Sequence, residues 1–263
     1  NPQTMPQLLD ISNLIKQRNN KTLYALKINN DPEDTSGAKL LESAAKLASA
    51  TDNKLIQIMK CDLNISNCII DTVQANKITD LIVGIHHKAN IVDTFLGGTI
   101  TALINGTSHQ NLIIYGPKRP INSVKRLVVT VPQMAELEIG FDLWFDRVKN
   151  IASQLSIPIV FYANKTTTEA LKKQCEIHSS LNVSFRELAS WEDFLIISKD
   201  IKHSDTLIVI TARKATVSYN NLFEKIPYYL NKYFTDNSFL LIYPQQTATD
   251  GTDNDIYNPL KIS

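Results

Sequence analysis

The stretch LIVGIHHKANIVDTFLGGT, Leu81 to Thr99, gathers residue types that can hold a phosphate. An apolar run breaks at Gly84, and a glycine pair, Gly97 and Gly98, opens a segment of helical period at Thr99. A loop that leaves a strand and enters a helix N-terminus offers backbone N–H groups and the positive end of the helix dipole, and glycines let an anion approach the backbone. The segment therefore reads either as a phosphate or nucleotide site or as a structural turn kept from one. Asn29, Asn30 and Asp31 close another apolar run, where residues of these types either meet a ligand at a sheet edge or form a turn. His86 and His87 are adjacent, so they point to opposite sides of an extended segment, and no Cys or acidic residue stands at ligand spacing from them; no metal site is expected. A pH-sensing role for His87 is the alternative, since histidine titrates near pH ~6.5. Neither a G-x-S-x-G elbow nor an H-E-x-x-H helix occurs, and the chain is not expected to be an enzyme.

Positioning such a loop requires a sheet. TLYALKIN (Thr22 to Asn29), KLIQIM (Lys54 to Met59), LIVGI (Leu81 to Ile85) and LIIY (Leu112 to Tyr115) read as strands. Between them, the segments 4–18, 38–50, 65–76 and 98–104 place apolar residues three and four apart, as helices do. Strands alternating with helices predict a mostly parallel sheet with helices on both faces, because a parallel crossover is long enough to hold a helix.

The order then repeats. RLVVTV, IPIVFYAN, NVSFREL, TLIVIT and FLLIYP are the strands of the second half. DLIVGI from Asp80 matches DTLIVIT from Asp205, and NLIIYGP from Asn111 matches SFLLIYP from Ser238, offsets of 125 and 127 residues. Two related domains, 1–116 and 126–246, are expected, with 117–125 as a linker carrying Pro117 and Pro120 and with 247–263 as a polar tail. The second half begins with a strand, KRLVVTVPQ, whereas the first begins at NPQ, so the first strand of domain one is expected to be missing. Upstream residues or a partner molecule would have to supply it. FDLWFDRV (Phe141 to Val148) is apolar around more than one helix face, which suits either packing between the domains or a dimer contact.

Composition narrows the classes. The chain has 263 residues, 43% hydrophobic, and a net charge of +1, so no strong field draws it to nucleic acid. No apolar run reaches the roughly 18 residues of a membrane span. Cys61, Cys68 and Cys175 are odd in number and lack C-x-x-C spacing, which suits a reducing compartment.

The repeated strand and helix order with a glycine break after the fourth strand resembles the universal stress protein family. That resemblance implies a Rossmann-like, doubly wound α/β fold with two tandem domains, each a mostly parallel five-stranded sheet flanked by helices. Against the family's nucleotide loop, Gly84 and Gly97 hold two glycine places, His87 replaces a third, and Gly98 displaces Thr99 by one. The second half has no glycine in ITARKATVSYNNLFEK, so nucleotide binding is expected only in the first. The opening NPQTMPQLLDISNLIKQRNNKTLYALKINND also resembles the cytosolic tail of bacterial monovalent cation:proton antiporters of the cation:proton antiporter-2 family. The resemblance implies a regulatory, non-catalytic module in the cytoplasm, attached to the antiporter transmembrane domain of the same polypeptide in the inner membrane. It also implies a homodimer and a sensed ligand such as ATP, AMP or cyclic di-AMP. The residues it points to are Asn29, Asp31, Gly84, His87, Gly97, Gly98 and Thr99. A start at Asn1 fits a tail excised from a longer chain. The alternative is a free-standing tandem universal stress protein that binds ATP.

Overall fold

The computed structural model describes residues 4–16, 22–29, 31, 36–85, 98–177 and 181–246. The first half runs α1 (Met5–Ile15), β1 (Thr22–Asn29), α2 (Ser36–Ser49), β2 (Lys54–Cys61), α3 (Ile65–Ala75), β3 (Asp80–Gly84), α4 (Thr99–Gly106) and β4 (Asn111–Gly116). The second runs β5 (Arg126–Thr130), α5 (Phe141–Leu155), β6 (Ile159–Ala163), α6 (Lys165–Ile177), β7 (Val183–Glu187), α7 (Ile197–Asp200), β8 (Asp205–Ile210), α8 (Ile226–Tyr233) and β9 (Ser238–Tyr243). Local chemistry sets several boundaries. Pro6 and Pro227 fall in the first turns of α1 and α8, where no amide donor is needed. Asn64 caps α3 by accepting from the Asn67 amide at 3.1 Å.

Seven strands form one sheet in the order β3-β4-β9-β8-β5-β6-β7, and β1 and β2 form a separate parallel pair. All pairings are parallel except β4 with β9. The fold is thus α/β with a mostly parallel sheet and flanking helices. Its strands β4, β8 and β9 are buried along their whole length, as continuous apolar runs covered on both faces must be.

The β4–β9 pairing joins the halves. Leu112 lies opposite Tyr243 and Gly116 opposite Phe239, and a Cβ added to Gly116 would sit 2.3 Å from the Phe239 ring. Glycine at that place lets the ring cross the seam. Side chains tie the faces as well. On α5, Arg147 donates from Nε to Asp80 Oδ1 (2.9 Å) and from Nη2 to Asp80 Oδ2 (2.8 Å), while Asn111 Nδ2 donates to the same carboxylate at 3.1 Å. Also on α5, Asn150 and Gln154 donate to the carbonyls of Ile15, Lys16 and Leu14, satisfying the C-terminal end of α1. FDLWFDRV accordingly packs inward: α5 lies against α1, and Phe141, Trp144, Phe145 and Val148 are core residues. The stretch 117–125 is packed too, with Ile121 and Val124 buried and the amides of Lys118 and Arg119 donating to Ser238 Oγ.

Arg147 and Asp80 are both shielded, with side-chain exposures of 4% and 13%, so removing one partner strands the other's charge. Arg147→Met is expected to cost about 3 kcal/mol in urea denaturation, and Asp80→Asn with Arg147→Met together much less than the sum of the single costs. Additive costs would mean that the two groups do not act as a pair.

Candidate functional site

Of the residues singled out in the first half, Asn29 and Gly84 close strands, and Gly98 and Thr99 open a helix. Asn29 closes β1 and is buried, with its amide oxygen and nitrogen only 3.1 and 3.3 Å from where a Cβ on Gly37 would sit, so it lies under the first turn of α2. Its carbonyl accepts from the Asp62 amide at 3.1 Å, which ties the ends of β1 and β2. Asp31 is exposed at a bend just beyond.

Gly84 closes β3, opposite Tyr115 of β4. A Cβ there would meet the Leu8 methyls at 3.1 and 3.2 Å, so part of the reason for glycine is the passage of α1 over the strand end. Leu8 is a partner that the glycine spacing of the loop gives no hint of. His87 and Gly97 lie outside the described residues. Gly98 stands at the N-cap of α4 with φ +76°, a backbone region that side chains disfavour, and among the described residues no atom lies within 4 Å of where its Cβ would be. Thr99 begins the helix. Gly98 and Thr99 thus form a helix N-terminus, whose dipole favours an anion.

Asn29 belongs to the β1–β2 pair, whereas Gly84 belongs to the seven-stranded sheet. Among the described residues no strand stands between them, and no group of three or more His, Cys, Asp or Glu forms a metal cluster.

The corresponding position in the second half is filled. After β8, Thr211 Oγ1 donates to the Ile242 carbonyl at 2.8 Å, and the buried Arg213 guanidinium donates to the carbonyls of Thr107 (2.7 Å), Gln110 (3.1 Å), Pro244 (3.2 Å) and Ile104. Burial pulls the guanidinium down to about 10, yet it stays charged at neutral pH. Arg213 therefore caps the C-terminal end of α4, the helix that begins at Gly98 and Thr99. A cation just after a buried strand is a visible sign in the sequence, but its partners, three of them more than a hundred residues away, are not.

No protein-family model and no curated protein matches the sequence. Among solved structures, the fold is similar to the cytoplasmic domain of a prokaryotic cation chloride cotransporter, at 13% identity and TM-score 0.66 over 94% of this chain and 93% of that one. It is similar to a universal stress protein from Archaeoglobus fulgidus at 10% identity and TM-score 0.61, over 92% of each chain. A functionally unknown protein of Pseudomonas aeruginosa PAO1 aligns at 13% identity and TM-score 0.58, over 90% of this chain and 87% of that one. These likenesses show a universal stress protein-like, Rossmann-type fold. In the described residues, no helix is long and apolar enough to cross a membrane.

The two glycines make separable predictions. Gly98→Ala, placed at positive φ, is expected to lose about 1–2 kcal/mol in urea unfolding. Gly84→Ala is expected to lose less than about 1 kcal/mol, because the ends of the Leu8 side chain can give way. The reverse order would place the strain in the packing of α1 and not in the α4 cap.

Proposed function

We propose that the chain is a non-catalytic regulatory module of a sodium or potassium:proton antiporter, built from two tandem stress protein-like domains, that senses a cytosolic adenine nucleotide at the carboxyl edge of its first half. The observation that carries this reading is the likeness, across both halves, to the cytoplasmic domain of a prokaryotic cation chloride cotransporter. The asymmetry of the halves supports it: α4 starts at a positive-φ Gly98, whereas the segment after β8 in the second half carries Arg213, whose guanidinium is committed to carbonyls at the C-terminal end of α4. A ligand regulates only by binding one conformation better than another, with couplings of about 1–3 kcal/mol. A nucleotide seated at the α4 N-terminus would bear on Arg213 at the other end of the helix, and through it on the second half.

A second reading, a free-standing nucleotide-binding stress protein, is favoured by the equally complete likeness to the Archaeoglobus protein. The coding region upstream of Asn1 separates the two: a block of apolar spans supports the antiporter tail, and an initiating Met close by supports the free-standing protein.

Nucleotide sensing is tested by calorimetric titration with ATP, AMP and cyclic di-AMP, on the chain as it is and with a strand added ahead of residue 1. Saturable one-site binding that disappears in Gly97→Val is the expected result. Heats of dilution alone across the panel, in both proteins shown to be folded, would remove the nucleotide from the account.

A further inference from the structure

Between Met134 and Ile139 the side chains face the opposite way from those of an ordinary surface segment. The carboxylates are turned toward the protein: Glu136 Oε2 accepts from Thr167 Oγ1 at 2.7 Å, and Glu138 Oε1 accepts from the Ser218 amide (2.9 Å) and hydroxyl (2.6 Å). Met134, Leu137 and Ile139 stand outward instead, with exposures of 48%, 67% and 62%. Met134 is also held at φ +61°, in the left-handed region that side chains disfavour. The Glu138–Ser218 bonds bring a second loop alongside, and its Val217 is 59% exposed. These loops follow β5 and β8, neighbouring parallel strands, so the four aliphatic side chains share the carboxyl edge of the second half. Water alone favours the reverse arrangement, with carboxylates outward and aliphatic groups covered, and a pinned apolar patch of this kind marks an interaction site.

The size of the patch bears on what covers it. Four side chains, each half to two-thirds exposed, fall well short of the ~800 Å² per partner that a stable interface buries. A tethered occupant needs far less contact, because its own chain holds it at an effective concentration on the order of mM. Such a tether starts beside the patch. β9 ends on the same edge, and the chain then passes Gly140, where a Cβ would lie 2.5 Å from the Gln245 carbonyl oxygen and 2.9 Å from the Pro244 Cβ. On the other side, Arg213 donates to the Pro244 carbonyl at 3.2 Å, so 244–245 runs beside both loops. Residues 247–263 lie outside the described ones, and their sequence is partitioned. TATDGTDND (247–255) is polar with three Asp, whereas IYNPLKI (256–262) carries Ile256, Tyr257, Pro259, Leu260 and Ile262. The ten residues from Gln246 to Ile256 reach up to about 33 Å when extended, enough to cross this edge.

We propose that the patch of Met134, Leu137, Ile139 and Val217 is a docking site for residues 256–262 of the same chain. The aliphatic and aromatic groups of that segment match the apolar character of the patch, and Pro259 reduces the conformational entropy lost on docking.

The test labels the methionine methyl groups of the full chain, at Met5, Met59 and Met134, and reads their NMR shifts. Ending the chain at Gln246, or substituting Tyr257→Ser with Leu260→Ser in the full chain, is expected to move the Met134 signal to the same new position. Met59, exposed but on β2, is expected to stay in place. The full chain should give the same Met134 shift on dilution. From the other side, Leu137→Ser with Ile139→Ser is expected to speed tryptic cleavage after Lys261 about 10-fold, since cleavage samples the undocked population. A Met134 signal indifferent to the tail substitutions, or cleavage indifferent to the patch substitutions, overturns the docking. A signal that moves on dilution assigns the patch to a second copy and overturns it as well. No nucleotide enters these measurements, so they stand or fall separately from the sensing role.

Discussion

The antiparallel pairing of β4 with β9 is the constraint on which the rest of the structure depends. It sets the last strand of each half against the other, and both are buried along their whole length. Once they pair, the helices of the two halves are brought together on each face, and their polar ends must be satisfied across the boundary. Asn150 and Gln154 do this for α1 on one face and Arg213 for α4 on the other. Arg147 and Asp80 add a charge pair that desolvation makes costly to break and that β4 itself supports through Asn111.

This arrangement makes the halves unequal in chemistry although they repeat in outline. In the first half α4 starts at Gly98 and Thr99, while the place after β8 holds a buried guanidinium that reaches into the first half. Helix α4, about 12 Å long at 1.5 Å per residue, therefore has the candidate anion site at one end and a clamp from the other half at the opposite end.

Much of the fold was legible because buried strands in such sheets are short apolar runs between turn formers. LIIY, TLIVIT and FLLIYP all fall within β4, β8 and β9 or one residue beyond them. The direction of the seam was not legible: an apolar run is the same whether its neighbour is parallel or antiparallel, so a single seven-stranded sheet does not follow from the repeat. Nor did proline and charge in 117–125 disclose that Ile121 and Val124 turn into the core. At the site, the spacing of Gly84 and Gly97 gave no sign of the contact between Gly84 and Leu8. Arg213 was missed as a clamp because its carbonyl partners carry no side-chain signature. His87 and Gly97 lie outside the described residues, and Asp31 lies exposed beyond the end of β1.

The central claim is that one molecule closes the β4–β9 seam on itself, and nuclear Overhauser contacts between Hα protons test it directly. Antiparallel strands bring these protons close at alternate, non-hydrogen-bonded pairs. Contacts at alternating positions between Leu112–Gly116 and Phe239–Tyr243, in the register that sets Leu112 opposite Tyr243, are predicted, and in a mixture of differently labelled chains they should arise within single molecules. Their absence, or their appearance only between differently labelled chains, would contradict the account.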